Sequence, residues 1–464
     1  MALLRLSPSL KRLLLAASLS LGLSLAWAAP EPKVVELSDD TSDLLNSDFR
    51  PAYDAKDWDK ALGVLDKILT KVAPDSYDAV YAYKAKAQIN YANNNIPAAL
   101  ESLERCLTVE DKKHYLSEKE DLEVVFGIAQ YAYNQGSSSK EAKKQATYYV
   151  RAVEMIERWS KTVDPKALTP DIIYFASVVY ATAGEGIEQS SSQKTDKPMM
   201  EKALAWIDRG LRSTTHPRDN FYQLKIIVLY QLGRFEEEAE CLELLVKQKP
   251  DNKNNWQQLT STYLQLAAAA EKKDEKAAFS YNVRAIIAFE RAQKLGALTS
   301  PKENYNLVTI YFTINQYDRA CDLLERGLKT GAIESTRQNW EVLAYSYQQV
   351  HKDVKAVEIL EEAAKAFPKV GQLEYEIAQV YFGIDKTKEA LAHIKLCVAK
   401  GGTEKPQVAW LLYAYLALDL KVYDEALKAA EEAAKYPEAE KEAKRMLEAI
   451  KAEVTNRETQ MKTY

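Results

Sequence analysis

Histidine and cysteine are scarce in this chain, with four of each in 464 residues. His114, His216, His351 and His393 stand apart from one another, with no His or Cys partner at ligand spacing, so nothing marks a zinc or histidine-based catalytic centre. Gly-rich phosphate loops and nucleophile elbows are absent as well, and no enzyme activity, cofactor or metal is expected. Glycine and proline, at 15 each, are too few for a β-rich or low-complexity protein. Positive charge has no excess: 62 Lys and Arg face 67 Asp and Glu, which argues against a nucleic-acid ligand. Long apolar runs are lacking too. The stretch Leu13 to Leu25 is 13 residues long, short of the roughly 20 that span a bilayer.

That stretch reads instead as an export signal. Arg5, Lys11 and Arg12 precede it and Ala26-Trp27-Ala28 follows as an A-x-A site, so cleavage is expected before about Ala29. The mature chain would carry 59 basic and 67 acidic residues, a net charge of −8, and the compartment implied is a periplasm. Retention of the signal as an anchor is the alternative. Cys106, Cys241, Cys321 and Cys397 fall in separate, non-adjacent segments of the pattern described next. They are therefore expected as small buried hydrophobes and not as disulfide partners.

What the chain has in abundance is Ala, Leu, Glu and Lys, set in a period. A tyrosine is followed nine residues later by an alanine at Tyr311/Ala320, Tyr347/Ala356 and Tyr381/Ala390. With Ala426, the alanines stand 36, 34 and 36 residues apart. A small residue at a fixed point of a period near 34 marks stacked helix-turn-helix units, which bury their apolar faces only against their neighbours. From Asn339 to Pro368, the residues Trp340, Leu343, Ala344, Tyr347, Ala356, Leu360, Ala363 and Pro368 fall on the landmarks of a tetratricopeptide repeat (TPR), which the chain resembles. Leu307, Ile377, Ala378, Ile394, Trp410 and Ala414 fit in neighbouring segments; Glu238 and Ala417 depart, standing where Ala and Tyr are usual. Between Tyr263 and Ala285 the spacing is 22, so 13 extra residues lengthen a hairpin whose turn is expected at Lys272-Lys273-Asp274.

The expected fold is all-α: a right-handed superhelical solenoid of about ten TPR-like helix pairs with a C-terminal capping helix. Its boundaries are a signal peptide at 1–28, a flexible segment at 29–42, divergent hairpins at 43–215, a regular array at 216–437, and a capping helix and tail at 438–464. The capping helix is expected over Glu438 to Lys451, with the last ten or so residues unstructured. Polar loops are expected at Gly136 to Ser139 and from Gly184 to Pro198.

The TPR resemblance implies a binding groove lined by first helices, at positions one, five and eight residues after each early aromatic landmark. These are Tyr305, Thr309 and Phe312; Glu341, Tyr345 and Gln348; Tyr375, Gln379 and Phe382; Leu411, Tyr415 and Leu418. The aromatics Tyr305, Phe312, Tyr345, Tyr375, Phe382 and Tyr415 supply contact area at low entropy cost, and Gln348 and Gln379 are suited to peptide backbone. Packing between first helices is the competing reading. The segments at 295–299, 330–334, Asn339-Trp340 and 400–402 also resemble periplasmic TPR proteins that accompany TonB, ExbB and ExbD. That likeness implies a non-enzymatic, protein-binding accessory of TonB-dependent transport, peripheral to the membrane at most and of unspecified oligomeric state. An envelope assembly or export scaffold and a glycan- or peptide-binding subunit are the alternatives.

Overall fold

The computed structural model describes residues 35–185 and 195–462, and among these every regular element is helical. The expected signal and its cleavage point lie outside the described residues, as do residues 186–194 of the second polar loop. The chain divides into two compact units between Arg234 and Phe235, each a run of stacked helices on an all-α solenoid plan.

The first unit opens with α1 (Asp39–Leu44), a π-helical turn at Leu45–Phe49, and α2 (Arg50–Asp54). Ser38 caps α1 while its hydroxyl and backbone N–H both donate to Asp78, at 2.7 and 3.0 Å. The flexible segment expected through residue 42 therefore gives way to helix at Asp39. There follow α3 (Trp58–Lys71) and the hairpins α4/α5 (Tyr77–Ala92, Ile96–Lys113), α6/α7 (Glu118–Ser138, Ala142–Thr162) and α8/α9 (Pro170–Gly184, Lys197–Arg212). The unit ends with α10 (Asp219–Leu232). Asp57, Ser76, Asn95 and Ser117 each accept from a backbone N–H three residues on, satisfying one of the orphan donors at a helix start. The loop expected from Gly136 begins later than expected. A Cβ on Gly136 would lie 2.7 Å from the Tyr149 ring, so the bare glycine lets α7 press against α6, and α6 continues to Ser138.

The second unit begins with α11 (Phe235–Gln248), followed by a long hairpin α12/α13 (Lys253–Ala270, Glu275–Lys294) whose turn falls on Lys272-Lys273-Asp274, as expected. Three regular hairpins follow, α14/α15 (Pro301–Thr313, Tyr317–Thr330), α16/α17 (Arg337–Gln349, Asp353–Ala366) and α18/α19 (Gly371–Gly383, Thr387–Lys400), and then α20/α21 (Pro406–Asp419, Tyr423–Ala433). Ala320, Ala356, Ala390 and Ala426 are fully buried at the helix crossings, where a small side chain lets the backbones approach. All four cysteines are buried, and burial pushes the Cys106 and Cys397 thiols up to about 12. The final helix, α22 (Glu440–Lys462), continues beyond the Lys451 end expected for it. Met446, Leu447, Ile450 and Val454 pack on the last hairpin, and the Arg457 guanidinium lies 5.5 Å from the Tyr423 ring centre.

The repeat's tyrosine joins neighbouring repeats. Tyr263, Tyr311, Tyr347 and Tyr381 each donate their hydroxyl to a glutamate on the preceding second helix: Glu243 at 2.8 Å, Glu290 at 2.7 Å, Glu325 at 2.5 Å and Glu361 at 3.4 Å. Arg319 and Lys355, eight residues after their tyrosines, approach these carboxylates at 3.8 and 3.3 Å. Burial alone would raise the Glu325 carboxyl, but hydrogen bonds from Lys329, Tyr347 and Lys355 overcome it and hold the group at about 2. Hydrogen bonds to a charged partner contribute about 1.5–3 kcal/mol. Tyr347→Phe should therefore lower unfolding free energy by about that amount in a denaturant titration, with the fold retained. Ala356→Leu should overpack its crossing and cost about 1–3 kcal/mol in the same measurement.

Candidate functional site

The first helices α14, α16, α18 and α20 carry all the residues expected to line a groove, and the structure sorts them into two classes. Tyr345, Gln379, Phe382 and Tyr415 are exposed, Tyr345 the most of the three aromatics at 61%. Tyr305, Phe312, Gln348 and Tyr375 are half-buried, and Tyr305 and Phe312 pack against the core of the α14–α18 region. Leu411 and Leu418 are half-buried, Leu418 against the core beneath α20, while Thr309 is exposed and Glu341 half-buried. Two contacts draw neighbours together. The Phe382 and Tyr415 rings meet edge to face at 5.5 Å, linking α18 to α20, and Gln379 Nε2 donates to the Tyr375 hydroxyl at 2.9 Å. Tyr305, Phe312 and Tyr375 thus pack against the core, Phe382 and Tyr415 pack on each other between first helices while keeping exposed surface, and Tyr345 projects.

Beside this aromatic face lies a carboxylate cluster that the sequence reading did not single out. Arg337, at the start of α16, binds Glu341 one turn on at 2.8 Å and Glu404, in the segment before α20, at 3.4 Å. Gln372 on α18 ties the cluster together. Its Nε2 donates to Glu376 at 3.1 Å and its Oε1 accepts from the Glu404 backbone N–H at 3.1 Å. Two carboxylates share one guanidinium, and the third, Glu376, is held by Gln372. Burial raises the Glu376 carboxyl to about 7, against a lowering hydrogen bond from Gln372, and burial likewise raises Glu341. The sequence signals for this site are the place of Glu341 among the expected groove positions and Arg337 four residues before it, a spacing shared by many solvated helical pairs.

His393, on α19, is half-buried and paired. Its Nδ1 lies 2.7 Å from Glu374, which also accepts from Lys400 Nζ at 2.7 Å, and its ring stacks on Tyr381 at 5.5 Å. Glu374 is buried at the α18/α19 crossing, where the Lys400 ammonium is its counter-charge and the imidazole a hydrogen-bond partner. His351, by contrast, sits in the turn between α16 and α17, with φ of 56°. Among the described residues no group of three or more His, Cys, Asp or Glu is placed to hold a metal, and no helix is long and apolar enough to cross a membrane.

No family model matches the chain and no curated protein matches it. Solved structures do show likenesses of fold. The chain is similar to YrrB, described as a TPR protein with an unusual peptide-binding site, at 14% identity over 45% of this chain and 97% of that one, TM-score 0.29. It is similar to a thermophilic TPR protein of Thermus thermophilus, at 19% identity over 40% and 92% of the two chains, TM-score 0.24. The Cut9-Hcn1 tetramer of the APC/C covers more of it, 90% against 91%, at 14% identity and TM-score 0.25.

The raised Glu376 carboxyl has a definite sign. A carboxyl whose folded-state pKa is raised binds more protons when folded, so its contribution weakens as pH climbs from about 4.5, the ordinary glutamate value, through about 7. Glu376→Gln, which keeps the shape and removes the titration, should melt higher than wild type at pH 8. Between pH 5 and 8 its melting temperature should also fall less than that of wild type.

Proposed function

We propose that this chain is a non-enzymatic adaptor that holds a partner protein on the first-helix face of its second unit. The observation that carries the reading is the exposure of Tyr345, Phe382 and Tyr415 on three consecutive first helices, in a fold that buries most of its large apolar side chains. Aromatic side chains with two rotatable angles give large contact area for little ordering cost, and exposed apolar area grouped in this way marks interaction surfaces. The Tyr375 hydroxyl and Gln379 supply polar groups at its centre. A glycan platform would present a flat ring; Phe382 and Tyr415 instead meet at 75°, which favours a protein ligand.

The finer reading is that the adaptor works in a periplasm as an accessory of a TonB-type transport system. It is supported by the signal-like residues from Arg5 to Ala28 and by the likeness of residues 216–437 to TPR proteins of such systems. Calorimetric titration of the mature chain with purified TonB, ExbB and ExbD tests both levels. One of the three should bind, and a Tyr345→Ala/Tyr415→Ala variant that keeps the wild-type melting temperature should bind at least tenfold more weakly, about 1.4 kcal/mol. Absence of binding to all three removes the TonB assignment in favour of an envelope assembly scaffold. A variant that unfolds would make the two tyrosines packing residues.

A further inference from the structure

The long hairpin of the second unit holds a cavity that the repeat pattern does not call for. About 220 Å³ in volume, it is floored by Trp256, Leu259 and Tyr263 of α12 and walled by Ile287 and Ala288 of α13, with Glu243, Arg284 and Arg291 at its rim. Its origin is visible in the register. Three residues after the landmark alanine, this hairpin has Ala288 where the next two have Leu323 and Ile359. Two residues after it stands Ile287, 43% exposed, where the others have Asp322 and Glu358. A small side chain replaces a large one at the base, and an apolar one replaces a charge at the mouth.

The rim charges are equally distinctive. In the α16/α17 hairpin the corresponding positions are closed by ion pairs, Lys355 with Glu358 at 3.1 Å and Lys329 with Glu362 at 3.2 Å. Here Arg291 stands at the place of Glu362, and among the described residues its guanidinium has no ion pair or hydrogen bond. Arg284 leans over the Tyr263 and Tyr281 rings, 6.0 and 5.9 Å from their centres. The one carboxylate present, Glu243, accepts from the Tyr263 hydroxyl at 2.8 Å. Two guanidiniums against one occupied carboxylate leave the rim positive.

We propose that this cavity is a second docking site, separate from the first-helix aromatics, that takes an apolar side chain of a partner protein with an adjacent aspartate or glutamate. The apolar side chain enters over Ala288 against Trp256 and Leu259, and the carboxylate meets Arg291 and Arg284, where a planar fork suits carboxylate geometry. The volume is below the roughly 300 Å³ at which cofactor-sized pockets begin, so the occupant is a side chain and not a free cofactor.

The test is a selection of phage-displayed random hexapeptides on the full mature chain. Each recovered peptide is then titrated against wild type, Tyr345→Ala/Tyr415→Ala, Ala288→Leu and Arg291→Glu. Ala288→Leu restores the residue type found at this place in the next repeat, and Arg291 is exposed, so its reversal leaves folding intact and decides the matter if the filled variant misfolds. The expected result is a class of peptides pairing Asp or Glu with a neighbouring large apolar residue. These should ignore the tyrosine variant and lose at least tenfold in affinity with each of the other two. Recovery of no such class, or of peptides that bind Ala288→Leu and Arg291→Glu as tightly as wild type, overturns the proposal.

Discussion

Each repeat tyrosine of the regular array makes two connections at once, and the stacking of the second unit depends on both. Its backbone carbonyl closes the turn inside its own hairpin: Gln316 N–H donates to Tyr311 O at 3.0 Å, and Lys352 and Lys386 N–H donate to Tyr347 and Tyr381 O at 2.9 Å. The residue between is left-handed each time, Asn315, His351 and Asp385 with φ of 58, 56 and 60°. Three non-glycine residues accept that costly conformation because the six-residue closure satisfies orphan carbonyls at the helix end. The same tyrosine's hydroxyl reaches back to the glutamate of the preceding repeat. The backbone thus closes the turn whatever the side chain, and the tyrosine's own contribution is the hydroxyl link that spans neighbouring repeats. Where Ala417 takes its place the turn survives, with Val422 N–H on Ala417 O at 2.8 Å, but the hydroxyl link is lost.

Two sets of glutamates pull the second unit in opposite directions with pH. Glu303, like Glu325, is held at about 2, because bonds from Lys253, Ser300 and Gln257 outweigh its burial. Both support the fold while ionised, and that support fades as pH falls from the ordinary glutamate range toward 2. Glu376 and Glu238 are raised to about 7 by burial and support it while neutral. Electrostatic stability is therefore greatest where the first set is charged and the second still largely protonated, on the acid side of neutrality.

The sequence made the fold legible because the repeat's constraints are short-range and strict: alanine at the crossing, tyrosine nine residues earlier, aromatics on the first helix. Ala356 and Tyr347 could be placed before any coordinate. The partners of those residues could not. Glu325 lies 22 residues before Tyr347 and Glu243 lies 20 before Tyr263, and among 67 acidic residues no local pattern selects them. The candidate face was half legible for a similar reason. Register places Tyr305 and Tyr345 at one and five residues past the landmark, but only the neighbouring side chains decide that the first packs and the second projects. The carboxylate cluster drew on Arg337, Glu341, Glu376 and Glu404 from three hairpins, a coincidence of stacking that no single segment contains. The end of α22 was missed because a charged tail looks unstructured until Tyr423 is seen beneath Arg457.

Glu238 shows how far the crossing rule bends. It occupies the small-residue place on α11, is only 2% exposed, and one of its oxygens, Oε2, has no hydrogen-bond partner. The other accepts from the Thr262 hydroxyl of α12 at 3.2 Å. An ionised carboxylate so placed would be expensive to desolvate, and burial answers by raising its pKa to about 7, so that on the acid side of neutrality the proton itself neutralises the group. The helix crossing therefore tolerates the acid best where it is protonated. Alanine is the general solution at this point of the repeat because it imposes no such condition, and the one glutamate makes the α11/α12 contact responsive to pH where the alanine crossings are indifferent to it.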